Sequence, residues 1–295
     1  MDFIQALDKY AQSTENRLLF HAENKSGGVG SLDEAINYSL LGGGKRLRAY
    51  LVQEFCDLCG RTAEHSVDYA CAIEMVHAFS LIHDDLPSMD NDDMRRGKPS
   101  NHKAFGEATA ILAGDSLALD AFLVICQAEF CSPQQNEQAV IALSKHAGSL
   151  GMCAGQKIDL DGEGKRLDVD ELTRLVDLKT GALFSCACLL GCIAADASEK
   201  QKQAAIDFGL LTGRAFQIAD DILDIHSTAE VLGKTVGKDI ESEKSTFVSL
   251  LGEENARTLA LEYIEKAKSS LDEFDPTDAK ARLTEFCDFI LTRKK

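Results

Sequence analysis

With 295 residues, 45% of them apolar, the chain has material for a substantial buried core and falls outside the disordered and fibrous classes. A formal net charge of −17 excludes nucleic acid or an anionic membrane as the main partner, since either calls for a basic face. Within that acidic background Lys45-Arg46-Leu47-Arg48 and Arg95-Arg96-Gly97-Lys98 are cationic islands, and they are where an anionic substrate would bind.

Met1 to Lys9 is charged and amphipathic and lacks the basic start and apolar centre of a secretory signal, so a cytoplasmic location is expected. Prolines at 87, 99, 133 and 276 and glycine breaks near 27–30, 42–44, 162–164 and 233–237 separate stretches with helical apolar spacing. No alternating strand stands out. The expected fold is all-α, about ten or more helices, and a single domain over residues 1–295, because no linker or composition shift divides the chain.

Gly42-Gly43-Gly44-Lys45-Arg46-Leu47-Arg48 fails as a P-loop, because Arg46 stands where Ser or Thr is required and no buried strand precedes it. Two readings stay open: a basic helix start on the surface, or a glycine turn that lets Lys45 and Arg48, three apart, face one anion. Cys56-Asp57-Leu58-Cys59 lacks a second ligand pair, and the ten scattered cysteines are read as small core hydrophobes without structural disulfides.

The run from Asp68 to His83 is rich in helix formers and ends before Pro87. At 3.6 residues per turn His77, Leu81 and Asp84 fall nearly on one line. Asp84, Asp85, Asp90, Asp92 and Asp93 then crowd together, and carboxylates at a helix C-terminus repel one another and face the negative end of its dipole. The run has no central glycine or twelfth-position glutamate for an EF-hand, which leaves a solvated acidic loop or a metal site.

Further along, Lys179-Thr180-Gly181 precedes the uncharged stretch Ala182 to Ala195, which is too short for a bilayer, where roughly 20 residues are needed, and reads as a buried helix. No membrane span is expected. A second acidic cluster follows, in which Gln217, Asp220, Asp221 and Asp224 share one helical face amid Ile218, Ile222, Leu223 and Ile225. Such apolar flanks are unusual for a surface cluster and favour the metal reading. Hard Mg²⁺ commonly pairs one or two carboxylates with substrate phosphates, so the expected ligand is a metal-bound diphosphate. Lys234 and Lys238 lie on a glycine-flexed loop beyond it.

In this order, Gly43-Gly44-Lys45-Arg46-Leu47-Arg48, Glu74-Met75-Val76-His77, Asp84 to Asp90 with Arg95-Arg96-Gly97, Gly155-Gln156-xx-Asp159, Lys179-Thr180-Gly181, Phe216-Gln217-xx-Asp220-Asp221-xx-Asp224 and Gly233-Lys234-xx-Gly237 resemble the trans-isoprenyl diphosphate synthases. The bacterial-type farnesyl diphosphate synthases are most similar. The resemblance implies helices around a central cavity, a homodimer, and two or three Mg²⁺ ions bound with the allylic diphosphate.

It further implies metal ligands Asp84, Asp85 and Asp90 on one side and Asp220, Asp221 and Asp224 on the other. Arg95, Lys179, Thr180, Gln217 and Lys234 would hold the allylic diphosphate, and Lys45, Arg48, His77 and Arg96 the diphosphate of isopentenyl diphosphate. Phe79 and Ser80, just before the first aspartates, would set product length, with Phe79 pointing to a C15 product although an ideal helix turns it about 140° from Asp84. A geranylgeranyl synthase, a class I terpene cyclase and a non-catalytic subunit of the same fold are the rival readings. The cyclase leaves Lys45, Arg48 and Arg96 without a use, and the non-catalytic subunit does not need two intact aspartate clusters.

Overall fold

A computed structural model describes residues 1–23, 28–226 and 245–293. The helices in chain order are α1 (Phe3–Glu23), α2 (Gly30–Leu40), α3 (Leu47–Leu58), α4 (Val67–Asp84), α5 (Asn101–Phe105), α6 (Glu107–Cys126) and α7 (Pro133–Ala147). They continue with α8 (Met152–Gly162), α9 (Val169–Val176), α10 (Ala182–Ala194), α11 (Glu199–His226), α12 (Phe247–Leu251), α13 (Glu253–Ser270) and α14 (Asp278–Thr292). The expected all-α architecture is found. Among the described residues its one exception is a hairpin in which Met94–Arg95 pairs antiparallel with Lys98–Pro99. Arg96 (φ 53°) and Gly97 (φ 74°) form its two-residue turn, and positive φ at both positions suits the twist of such a short ribbon.

Helix α10 lies at the centre, packed on α3, α7 and α11, while α4 packs on α6 and α3 and α11 continues onto α13. Composition explains the placement: in α10 every residue but Leu189 is buried, and small side chains among them let neighbouring backbones approach closely. Helix α4 is buried without a break from Val67 to Val76, so its polar C-terminal end is carried on a rigid, dry stem.

The end of α4 solves its own electrostatic problem locally. Its last carbonyls are met by the returning loop, where the N–H groups of Asp90 and Asp92 donate to the carbonyls of Asp84 (2.9 Å) and Asp85 (3.2 Å). Leu86, 6% exposed, anchors that loop, and burying such a side chain contributes about 2 kcal/mol. The fold-back returns Asp90 to the end of the helix that carries Asp84.

Among the described residues two helical stretches are long and apolar enough to cross a bilayer by length and composition, which the 182–195 segment alone did not foretell. One is residues 169–194, where α9 runs through a π turn (Asp177–Gly181) into α10, and 78% of its apolar window is buried inside the fold. The other is α6, of which only 39% is buried. Its outer face carries Leu112, Leu119 and Leu123, which are 55%, 71% and 52% exposed.

Candidate active site

The two adjacent aspartates that end α4 point to different places, as successive helical residues must. Asp84 lines a cavity of about 320 Å³ together with Lys179, Thr180, His77 and Arg48, and with Phe79 and Ser80 along its apolar side. Its carboxyl is pushed up to about 6, chiefly by burial, with the charge of Asp90 adding to the effect and Lys179 opposing it. Lys179 and Arg95 compensate only part of the burial penalty on this carboxylate. Asp85, 2% exposed, instead accepts bonds from Arg95 Nε to both of its oxygens (3.0 and 3.1 Å) and a further contact from Arg95 Nη2. Asp85 and Arg95, expected as a metal ligand and a diphosphate ligand, are thus each other's ion-pair partners here.

The glycine turn and the hairpin meet. Arg96 donates through Nη1 to the carbonyl of Gly43, and a Cβ on Gly44 (φ +131°) would come within 3.1 Å of the same guanidinium. Only glycine allows both that backbone angle and that approach. Arg48, on the first turn of α3, lies 5.0 Å from the Phe184 ring centroid, and its Nε has no hydrogen-bond partner among the described residues. Burial lowers Arg48 to about 10, with Arg96 adding to the effect and Glu74 opposing it. His77 is held well below its ordinary value by burial and by Arg48 and Arg96, so its ring is neutral at physiological pH. Lys45, 5.2 Å from the Phe289 ring centroid, is lowered by burial and by Arg293. Burial lowers each of these cations, a neighbouring cation lowers each further, and a bound anion would relieve that strain.

The opposite wall is built from α8, the π turn and α11. Lys179 Nζ pairs with Asp159 at 2.5 Å, and Gly155 lies so close beneath that a Cβ there would meet Lys179 N at 2.2 Å. Arg214 clamps the start of the turn through two bonds to Asp177, at 2.6 and 2.7 Å. Thr180 Oγ1 donates to Gln217 (3.2 Å), and Gln217 Nε2 donates to Asp221 (3.0 Å), whose other oxygen accepts from Phe247 N–H (3.0 Å). A hydrogen-bonded chain therefore links the wall of the Asp84 cavity to the second aspartate cluster. Gln156 faces the same cavity, and its amide oxygen and nitrogen are buried without a hydrogen-bond partner among the described residues.

Several participants carry no recognisable local signal. Arg293 donates to Asp220 Oδ1 (2.7 Å) and to the carbonyl of Phe216 (2.8 Å) while its guanidinium lies 3.6 Å from the Phe216 ring centroid. It stands 73 residues from Asp220 in a short basic tail, so only the fold brings the two together. Asp224 is half-buried one turn beyond Asp220. Lys234 and Lys238 lie outside the described residues.

The donor set fits Mg²⁺. It consists of carboxylate oxygens in two groups, and among the described residues no three His, Cys, Asp or Glu side chains gather around one point. An ion that takes one or two carboxylates and fills its shell with phosphate oxygens needs no more than this, whereas closed zinc or calcium cages do.

Comparison with known proteins agrees with this geometry. The chain is 41% identical over 291 residues to the farnesyl diphosphate synthase of Geobacillus stearothermophilus, covering 98% of this chain and 97% of that one. It is 42% identical over 264 residues to a chloroplastic geranylgeranyl pyrophosphate synthase of Capsicum annuum, covering 89% and 71%. Among solved structures, an FPP/GFPP synthase from Zymomonas mobilis superposes with a TM-score of 0.86 at 34% identity over 98% of this chain and 99% of that one. With the polyprenyl synthetase pattern matched over residues 29–277 as well, the chain belongs to the polyprenyl synthetase family and is a prenyltransferase.

Proposed function

We propose that the chain is a Mg²⁺-dependent farnesyl diphosphate synthase that condenses dimethylallyl and then geranyl diphosphate with isopentenyl diphosphate. The observation that carries this reading is the pairing of two separate cationic groups with one apolar cavity. Lys179 stands on one wall, and Arg48 stands on the other with Arg96 and the neutral His77 nearby. A single-substrate cyclase has no use for the second group.

Ionisation of the allylic C–O bond releases diphosphate and leaves a carbocation. The C4 carbon of isopentenyl diphosphate attacks it, and a proton is lost from C2 of that unit to a diphosphate oxygen. Bound Mg²⁺ would neutralise charge growing on the leaving group. Asp84 would hold it from the end of α4 and Asp90 from the loop that folds back on it, and Asp220, with Asp221 and Asp224 near it, from α11. Lys179, Thr180 and Gln217 would orient the allylic diphosphate, with Lys234 a further ligand. Lys45, Arg48, His77 and Arg96 would take the other diphosphate. Asp85, locked to Arg95, would fix the hairpin that presents Arg96. Phe79 and the aliphatic parts of Ser80 and Leu183 exclude water and leave the cation no nucleophile but the second alkene.

Incubation with labelled isopentenyl diphosphate and geranyl diphosphate is expected to give a C15 product, and none after chelation of divalent metal. No condensation with Mg²⁺ present would end the proposal. The second reading, a C20 product, is favoured by the comparable identity to a geranylgeranyl synthase, and chromatography of the dephosphorylated products separates the two.

We also infer that a second copy of the chain covers the apolar stripe on α6, since Leu112, Leu119 and Leu123 recur at helical spacing on its outer face. Leu119→Asp is expected to convert a dimer to a monomer in light scattering. A dimer indifferent to that change would remove α6 from the interface.

A further inference from the structure

Arg46 is out of place by ordinary rules. It is a non-glycine residue at φ 51°, immediately before α3, and it is only 5% exposed. A left-handed backbone at such a residue costs about 1 to 2 kcal/mol and persists only where its surroundings enforce it. The enforcing group is Glu74 on α4, itself 3% exposed.

Glu74 Oε2 accepts from Arg46 Nη1 at 3.2 Å, while Arg46 Nη2 donates to the carbonyl of Leu40 at 2.6 Å. Glu74 Oε1 accepts from the N–H of Ala49 at 3.1 Å. Ala49 is the third residue of α3, and that helix has no capping side chain of its own. One carboxylate from another helix therefore both caps α3 and holds the arginine that turns the chain into it.

The flanking residues give this clamp its meaning. Lys45 and Arg48 lie on either side of the clamped Arg46-Leu47 pair, and Arg96 reaches the same glycine turn at Gly43. His77 is one turn beyond Glu74 on α4, so the clamp and the histidine share a single rigid element. We propose that Glu74 is a positioning residue for the isopentenyl diphosphate subsite, acting through Arg46 and the N-terminus of α3 to aim Lys45 and Arg48. This rests on the functional reading above, and it adds a residue that touches no substrate. Lys179 and Thr180, on the opposite wall, bond to Asp159 and Gln217 and would keep that geometry without the clamp.

Steady-state kinetics on Glu74→Gln and Glu74→Asp test it. Gln keeps an acceptor for Ala49 but takes the closer of its two carboxylates from the Arg46 guanidinium, leaving only Glu15 at 3.7 Å. Asp keeps the charge but is too short to serve both partners. The expected result is a KM for isopentenyl diphosphate raised about tenfold in Glu74→Gln, as the loss of a charge-assisted bond would give, and less in Glu74→Asp. The KM for geranyl diphosphate should stay within about twofold in both, where a merely structural role would move both substrates and kcat together.

Equal rises for the two substrates, or an unchanged KM for isopentenyl diphosphate in a folded variant, would overturn the proposal. If Glu74→Gln does not fold, Glu74→Asp decides by the same criterion. A wild-type protein that consumes no isopentenyl diphosphate would instead refute the functional reading.

Discussion

Asp84→Asn is expected to cripple condensation while making the metal-free protein more stable. The carboxyl of Asp84 is raised from 3.8 to about 6, mainly by burial. Between those values the unfolded chain gives up its proton before the folded one does, so stability falls as pH rises through that window and the full penalty applies above about 6. At 1.36 kcal/mol per unit the penalty is about 3 kcal/mol at most. Replacing the carboxylate by an uncharged amide removes it.

Thermal unfolding of metal-free protein at pH 7 should therefore show Asp84→Asn melting at least about 2 °C above wild type. Below pH 4 the difference should vanish. Condensation by the same variant should fall by about a hundredfold or more, the cost of losing one element of charge stabilisation at the leaving group. A variant that is inactive and also less stable would mean that Asp84 supports the fold and not a bound cation.

Such a residue shows why part of the site is legible in a sequence. A buried run ending in Asp84-Asp85 conflicts with local physics, since carboxylates oppose the helix dipole and one another, and the conflict is visible without coordinates. The same holds for Asp220 and Asp221 among isoleucines, and the helical periods around both clusters made the all-α class equally plain.

What stays hidden is pairing across the fold. Asp85 and Arg95 are ten residues apart, yet nothing in their spacing says that they neutralise each other while Asp84 turns to the cavity. Glu74 looks like one more polar residue on a helix, and its two partners, Arg46 and Ala49, lie on another segment. Local backbone departures are hidden too. The π turn at Asp177–Gly181 is what joins two short helices into one long apolar rod, and the hairpin at residues 94–99 is too short for any alternation to reveal. The expected azimuthal conflict between Phe79 and Asp84 dissolves for a related reason: the cavity is wide enough to be lined by both faces of α4.

That width makes Phe79 the residue on which product length should turn. Its ring stands edge-on to His83, with centroids 5.4 Å apart. His83 is pinned to α6 through its Nε2 and the carbonyl of Ile111 (3.1 Å), where Gly114 leaves room for the imidazole. As a cavity floor this ring would be buttressed from behind and would resist swinging aside for a longer chain. Ser80, next to it, turns its hydroxyl back to the carbonyl of His77 at 2.9 Å and adds no unsatisfied polar group to the cavity.

Phe79→Ala removes a ring of about the size of one added isoprene unit, and the expected outcome is a shift of the main product from C15 to C20. The stability cost should be about 1 to 2 kcal/mol, below the roughly 3 to 5 kcal/mol for a fully packed phenylalanine, because Phe79 already borders open space. Chromatography of dephosphorylated products checks the shift, and thermal unfolding checks that the protein is intact. A C15 product from a folded Phe79→Ala enzyme would place the floor elsewhere. A C20 product already in the wild type would mean that the His83-buttressed ring is no barrier, and would move the chain to the geranylgeranyl reading with the rest of the site unchanged.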